Sequence, residues 1–280
     1  MEKAIKRYFP IFVLPTMIAF TLGFIIPFVE GVYLSFCKFT TVNDAKFIGF
    51  ANYAKVFADE TFVHAFWYTA AFTVVSVILI NVLAFAVELL LTKGFKGTNI
   101  FRTVFFMPNL IGGIVLGYIW QLLLNGILMK FSRTLTYSST YGFWGLIILM
   151  CWQQIGYMMI IYIAGIQNIP GELIEAAEID GATKWQILKK VTIPMVMPSI
   201  TVCTFLTLTN SFKLFDQNLA LTNGEPSKMS EMLALNIFNT FYGRTGYEGV
   251  GQAKAVIFFI LVTVIALTQN YLTRRKEVQQ

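Results

Sequence analysis

The stretch Glu175–Pro198, EAAEIDGATKWQILKKVTIPMVMP, gathers charge inside a chain that is 56% hydrophobic and only 13% charged. With Glu172 just upstream, it brings Glu172, Glu175, Glu178, Asp180, Lys184, Lys189 and Lys190 into one interval. At about 3 kcal/mol for each charge at a bilayer centre, burying all of them in lipid would cost on the order of 20 kcal/mol. The interval therefore lies in water between apolar segments. Its punctuation predicts order: Pro170 suits a first helical turn, the three glutamates fall near the electropositive helix start, and Gly181 is placed to end the helix. At 100° per residue the glutamates share one side, with Leu173, Ile174, Ala176 and Ala177 on the other. A second short helical piece, with Trp185 and Leu188 paired at i and i+3, precedes Pro194 and Pro198. Such a two-faced element fits either a groove on another protein or a layer of lipid headgroups.

Working outward, a mean hydropathy of +0.66 with 27 Phe and 12 Tyr leaves too little polar surface to coat a soluble globule. The chain is expected to be an all-α, polytopic membrane protein. A hydrocarbon core of about 30 Å needs roughly 20 helical residues. Six spans are expected, near 9–36, 66–92, 103–125, 143–166, 195–219 and 251–273, with the charged loop at 167–194 and all of 1–280 forming one domain. Asn210, Lys213 and Asp216 interrupt the outer half of the fifth. The basic start MEKAIKRY resembles a signal peptide in outline, but the apolar run is long and no small-residue cleavage site follows, so a retained first span is expected. Cys37, Cys151 and Cys203 are far apart and suggest neither a disulfide framework nor a metal cluster.

Lys and Arg mark the cytoplasmic side of a membrane protein. Six spans place Lys3, Lys6, Arg7, Lys93, Lys96, Arg102, Lys184, Lys189, Lys190, Arg274, Arg275 and Lys276 on one side, with fewer basic residues scattered over longer segments on the other. Both termini and the 167–194 loop are expected to be cytoplasmic. The net charge of +6 follows from this bias and needs no nucleic acid.

The opening stretch resembles the EAA loop of the inner-membrane permeases of binding-protein-dependent ABC importers, through Glu175, Ala176, Ala177, Asp180, Gly181, Ala182, Ile193 and Pro194. The likeness extends along the chain. FIGFANYAKVFADETFVHAFWYT (Phe47–Thr69) looks like the first external segment of sugar-importer permeases, with Gly49, Asn52 and Tyr53 in place. RTVFFMPNLIGGIVLGYIW (Arg102–Trp120) is similar to their third span, and FKLFDQNLALTNGEP (Phe212–Pro226) to the end of their fifth. The resemblance points to the first of two permease subunits in maltose and multiple-sugar importers. It implies a bacterial cytoplasmic membrane, a coupling helix that inserts into a cytoplasmic ATPase dimer, a second homologous permease, an external solute-binding protein and a carbohydrate substrate. Glu175, Ala176, Ala177, Asp180, Gly181, Trp185 and Pro194 would carry the coupling.

No GxxxxGK[ST] phosphate loop occurs, so the chain itself is expected to hold no cofactor, ATP and Mg being bound by the partner ATPase. Polar side chains at membrane depth usually face a cavity or the bundle interior. Trp152, Gln153, Gln154 and Tyr157 in the fourth span, with Asn210, Ser211, Lys213, Asp216 and Gln217 in the fifth, are the candidates for the substrate pathway. The other reading of Gln153 and Gln154 is helix-to-helix hydrogen bonding. His64, the only histidine, reads as an interfacial side chain, and Glu30 and Glu88 as carboxylates that reach water from span ends. Met150, Met158 and Met159 read as packing. An ion-coupled secondary transporter is the alternative, against which the middle spans offer no midplane ionisable group. A membrane enzyme would need a nucleophile and base or a metal set, and the lone His64 argues against it.

Overall fold

A computed structural model describes residues 2–92 and 97–274, with side chains from Phe9 onward, Pro10 excepted. Lys93, Lys96, Arg275 and Lys276 of the charge-bias argument lie outside the described residues, as do the side chains of Lys3, Lys6 and Arg7. The elements in chain order are α1 (Glu2–Phe20), a π turn at Thr21–Ile25, α2 (Ile26–Leu34), β1 (Cys37–Lys38), β2 (Lys46–Phe47), α3 (Ala51–Phe57), α4 (Glu60–Leu91), α5 (Thr98–Phe106), α6 (Gly113–Leu128), α7 (Ser139–Gln167), α8 (Gly171–Ile179), α9 (Lys184–Ile187), α10 (Ile193–Met195), α11 (Met197–Phe212), α12 (Asp216–Leu221), α13 (Leu233–Gly243) and α14 (Glu248–Arg274). The fold is all-α apart from one minimal antiparallel ladder that pairs Cys37 with Phe47 and Lys38 with Lys46.

Among the described residues five helical stretches are long and apolar enough to cross a membrane: Ile11–Leu34, Glu60–Leu91, Gly113–Phe131, Ser139–Gln167 and Glu248–Arg274. A sixth qualifies only as the pair Lys184–Met195 and Met197–Phe212, bent by 68°. Two expected spans therefore need correction. The third, placed at 103–125, is not one helix. Pro108 has no amide hydrogen to donate and Gly112 adopts a non-helical conformation, so α5 closes through a 3-10 turn at Met107–Leu110 and α6 starts afresh at Gly113. The fifth, placed at 195–219, runs straight only through α11, about 24 Å at 1.5 Å per residue. Val196 (φ −87°, ψ 1°) bends its entry beside Pro194 and Pro198, and Lys213 closes it. The polar residues flagged in its outer half thus stand at and beyond a helix end, where unpaired carbonyls meet water or side chains more cheaply than in mid-span.

The chain forms two compact units, one of Met1–Glu60 with Ile237–Ile260 and the other of Thr61–Asn236 with Leu261–Gln280. In the first, buried Asn52 donates to the carbonyls of Ser35 (2.9 Å) and Cys37 (2.8 Å), and Tyr53 Oη lies 2.7 Å from Ser35 Oγ. Two positions of the FIGFANY stretch thus fasten the end of α2 and the start of β1 to α3. Thr41 and Asp44 form a capping box, and the Thr40 and Thr41 amides hold the Asp44 carboxyl below the usual carboxylate range. Fully buried Lys254 donates to Asp59 Oδ2 and Thr240 Oγ1, both at 2.8 Å.

In the second unit α7 is the axle. Leu146, Leu149, Met150, Met158, Met159 and Tyr162 are buried along it, so the methionines do serve as packing. Tyr162 donates to Asn81 Oδ1 of α4 (2.7 Å), and the Asn81 amide donates to the Val77 carbonyl (2.8 Å). Gly156 lets α5 cross so closely that an added Cβ would overlap the Phe105 carbonyl. His64 is exposed, with Nε2 3.0 Å from the Met229 carbonyl. Glu30 is exposed as expected, but Glu88 is not: it is fully buried and neither carboxylate oxygen has a hydrogen-bond partner among the described residues. The neighbours on α4's inner face, Ala84 and Leu91, are themselves core residues, so helical phase carries Glu88 inward despite its place near the helix end.

Candidate functional site

The first group of candidate residues lies on two short helices joined at Gly181. Pro170 is not in the first turn, as expected, but immediately before it: φ −59° and ψ 127° make it the residue from which α8 departs. Glu172 occupies the first turn, where its charge meets the unpaired amides. At the other end the Gly181 amide donates to the Glu178 carbonyl and the Ala182 amide to the Ala177 carbonyl, both at 3.0 Å. This pair of bonds, with Gly181 at φ +76°, is a Schellman closure, and it fixes the direction in which the chain leaves α8.

The next helix is capped just as firmly. Thr183 accepts from the Gln186 amide (3.3 Å) while Gln186 Oε1 accepts from the Thr183 amide (2.7 Å). The sequence reading missed this capping box, although its signature, Thr-x-x-Gln directly after a helix-ending glycine, stands at 183–186. A Thr183→Ala variant is expected to lose about 1 kcal/mol of local stability, read as a roughly five-fold faster hydrogen exchange at the Gln186 amide.

Outward, this hairpin is apolar where it has no partner. Ile174 and Ala177 are half-buried, whereas Leu173 is 43%, Trp185 68% and Ile179 86% exposed. Glu175, Ala176 and Asp180 are exposed as well. A hollow of about 300 Å³ opens between the two helices, lined by Ala177, Asp180, Gly181, Gln186, Ile187 and Lys190. Beyond it a π turn at Leu188–Thr192 and α10, containing Pro194, lead through the 68° bend into α11. Displacing this hairpin bears directly on α11, because no slack segment separates them.

The second group is only partly assembled. Gln217 of α12 donates to Gln153 of α7 (2.8 Å), and Gln153 donates in turn to the Ile111 carbonyl (3.4 Å). Asn210 reaches Gln154 Oε1 at 3.5 Å. Gln153 and Gln154 are buried, so these two act as braces between α7, the α5–α6 break and the end of α11. Ser211 is fully buried with its hydroxyl unpartnered among the described residues. Lys213 and Trp152 are exposed, Trp152 meeting Trp120 edge to face at 5.6 Å. Asp216 and Tyr157 are half-buried, Asp216 opening α12 and Tyr157 lying beside Phe106 at 6.5 Å.

What positions α12 is a pair of glycines that the sequence reading passed over. An added Cβ at Gly113 would fall 2.7 Å from the Asp216 Cβ, and one at Gly117 2.6 Å from the Ala220 Cβ. Gly113 and Gly117 stand four apart in GGIVLG, the small-xxx-small spacing that lets membrane helices touch backbone to backbone. Gln121, one turn further, donates to the Leu221 carbonyl at 3.0 Å.

Comparison with known proteins places this geometry. Residues 83–278 match the model of the family described as binding-protein-dependent transport system inner membrane component. The chain is 42% identical to the probable starch degradation products transport system permease protein AmyD of Thermoanaerobacterium thermosulfurigenes, over 96% of this chain and 94% of that one. It is 28% identical to the multiple sugar-binding transport system permease protein MsmF of Streptococcus mutans, over 99% of both. Among solved structures, a bacterial ABC transporter involved in the import of the acidic polysaccharide alginate superposes with a TM-score of 0.82 over 98% of both chains, at 23% identity. These relatives give no support to an ion-coupled secondary transporter.

Proposed function

From the premise that this chain belongs to the binding-protein-dependent transport system inner membrane components, we propose that it forms half of the translocation pathway of an ATP-driven carbohydrate importer. It is a multi-pass membrane protein and a transport subunit, not an enzyme. The observation that carries the coupling role is the doubly capped hairpin of α8 and α9, which holds Ile179 and Trp185 exposed on a rigid turn that runs on into α11. Burying one such side chain in a partner's cleft contributes about 2 kcal/mol. In this reading the partner is a cytoplasmic ATPase dimer that binds ATP and Mg, and Glu175, Ala176, Ala177, Asp180 and Gly181 meet its cleft. Closure of the dimer then pushes α8 and rotates the bent segment through Pro194.

The second wall of the pathway belongs to a homologous permease, and a solute-binding protein delivers the sugar from the far side. Both termini are cytoplasmic in this arrangement, the membrane is a bacterial cytoplasmic membrane, and all of 1–280 serves as one transmembrane domain. The starch-product and multiple-sugar relatives favour an oligosaccharide as cargo. Asn210, Lys213, Asp216, Trp152 and Tyr157 offer hydrogen-bonding groups and flat apolar faces to it, while Gln153, Gln154, Ser211 and Gln217 hold the wall.

The test is to purify the tagged chain from its own membranes and identify its companions by mass spectrometry. A second permease and a P-loop ATPase are expected, and a chain that travels alone and still moves solute overturns the reading. Replacing Asn210 and Lys213 together with Ala is expected to reduce sugar-stimulated ATP hydrolysis about ten-fold with the complex intact, the size expected when hydrogen bonds to a ligand are lost. An unchanged sugar dependence removes both from the pathway.

A further inference from the structure

On the opposite end of α7 from the α8–α9 hairpin, the chain leaves α6 through a 3-10 turn at Met129–Phe131 and returns at Ser139. Here a hollow of about 260 Å³ opens between α6 and α7. Its walls include Ile127, Leu128, Leu135, Trp144 and Ile148, and it offers no charged side chain of its own. Ile127 is 56%, Trp144 49% and Ile148 46% exposed, so the hollow opens onto the outer surface of the helix pair.

Its mouth has the opposite character. Tyr141, which lines the hollow, accepts a hydrogen bond from Arg133 Nη1 at 2.5 Å. The guanidinium also lies over the Tyr137 ring (4.8 Å) and the Tyr141 ring (5.8 Å). Arg133 is exposed, and among the described residues Tyr141 is the one hydrogen-bond partner of a guanidinium that carries five N–H donors. Lys130 is exposed three residues earlier, and neither cation has a carboxylate partner among the described residues. Tyr137 stands just before, and Tyr141 and Trp144 within the first turns of, the candidate span Ser139–Gln167, the end of a span where aromatic side chains are enriched.

An acyl-sized apolar slot below an uncompensated, oriented guanidinium matches one kind of molecule. We propose that this hollow is a binding site for an anionic phospholipid, with one acyl chain between α6 and α7 and the headgroup phosphate on Arg133, assisted by Lys130. The fixed guanidinium fork suits two phosphate oxygens at once, whereas a zwitterionic headgroup brings its own ammonium to the same place and gains less. The site depends only on the chain spanning a membrane, not on which solute the importer carries.

Trp144 reports on it directly. The complete importer is reconstituted in nanodiscs of phosphatidylcholine containing one-tenth of acyl-brominated phosphatidylglycerol or, in parallel, one-tenth of acyl-brominated phosphatidylcholine. Subtracting the emission of a Trp144→Phe complex isolates this indole. Quenching by the brominated phosphatidylglycerol is expected to exceed that by brominated phosphatidylcholine about five-fold, the preference of roughly one well-placed cation at a membrane surface. Arg133→Gln should abolish the preference and Arg133→Lys, which keeps the charge but loses the fork, should retain only part of it. Recovery of the whole complex with each variant excludes misfolding. Equal quenching by both lipids overturns the proposal by making the hollow an ordinary lipid contact. Quenching by neither overturns it by showing that protein covers the groove, and a preference that survives Arg133→Gln overturns the assignment of the headgroup.

Discussion

Gly181→Trp is expected to strip the ATPase from the purified complex and abolish uptake, while the chain still reaches the membrane. Two effects combine there. At φ +76° any L-residue is strained by about 1–2 kcal/mol, and the strain acts on the two bonds that close α8. Among the described residues nothing beyond the adjacent residues lies within 4 Å of the position a Cβ would take, so the bulk of an indole is added on an open part of the turn. Two controls separate the effects. Gly181→Asn, a residue that tolerates the left-handed conformation, should assemble nearly normally. Gly181→Ala carries the strain without the bulk and should assemble with reduced coupling. Pull-down of the ATPase and sugar uptake are the readouts, and normal values for the Trp variant in both would show that α8 does not dock through this turn.

Gly156→Val is expected to be the most damaging single change to the fold itself. A side chain there would displace the Phe105 carbonyl, and the Phe106 amide lies only 2.7 Å from the new Cβ. Both obstacles are backbone, so no rotamer change relieves them. Either α5 lifts from α7 or α7 bends, at a cost of about 3 kcal/mol, in the upper range for overpacking. In detergent this should appear as a fall in Tm of roughly 10 °C, with low yield from membranes. Gly126→Ala is the matched control: it is also a helical glycine, but nothing lies within 4 Å of its added Cβ, so its Tm should hold or rise slightly. Equal behaviour of the two variants would show that α5 does not cross α7 at Gly156.

The α8–α9 hairpin is nearly readable residue by residue. Charge cost kept it out of the lipid, and Gly181 marked the end of α8 because only a left-handed residue completes that closure. The capping box at Thr183 was equally local and was simply passed over. The packing of α12 against α7 is less legible. Gln153 and Gln217 are 64 residues apart, and no local pattern states that one donates to the other. Trp152 and Gln153 are neighbours in sequence, yet one is exposed and the other buried, because 100° of helical rotation separates them. Glu88 is buried rather than water-reaching for a related reason: its phase on α4, shared with Ala84 and Leu91, outweighs its nearness to the helix end.

Composition, apolar run length and charge placement determined by themselves that the chain is an all-α membrane protein with a solvated, ordered loop at 167–194, since transfer energies depend on residue type and local spacing alone. The EAA pattern carried the family for the same local reason. Where α5–α6 and α10–α11 break, which glycines admit a crossing helix, and how Arg133 comes to overhang an apolar slot were decided only in three dimensions. Those features depend on which backbones approach within a few ångströms, and in a membrane that choice is made by close packing between distant segments, which leaves no periodic trace in any one of them.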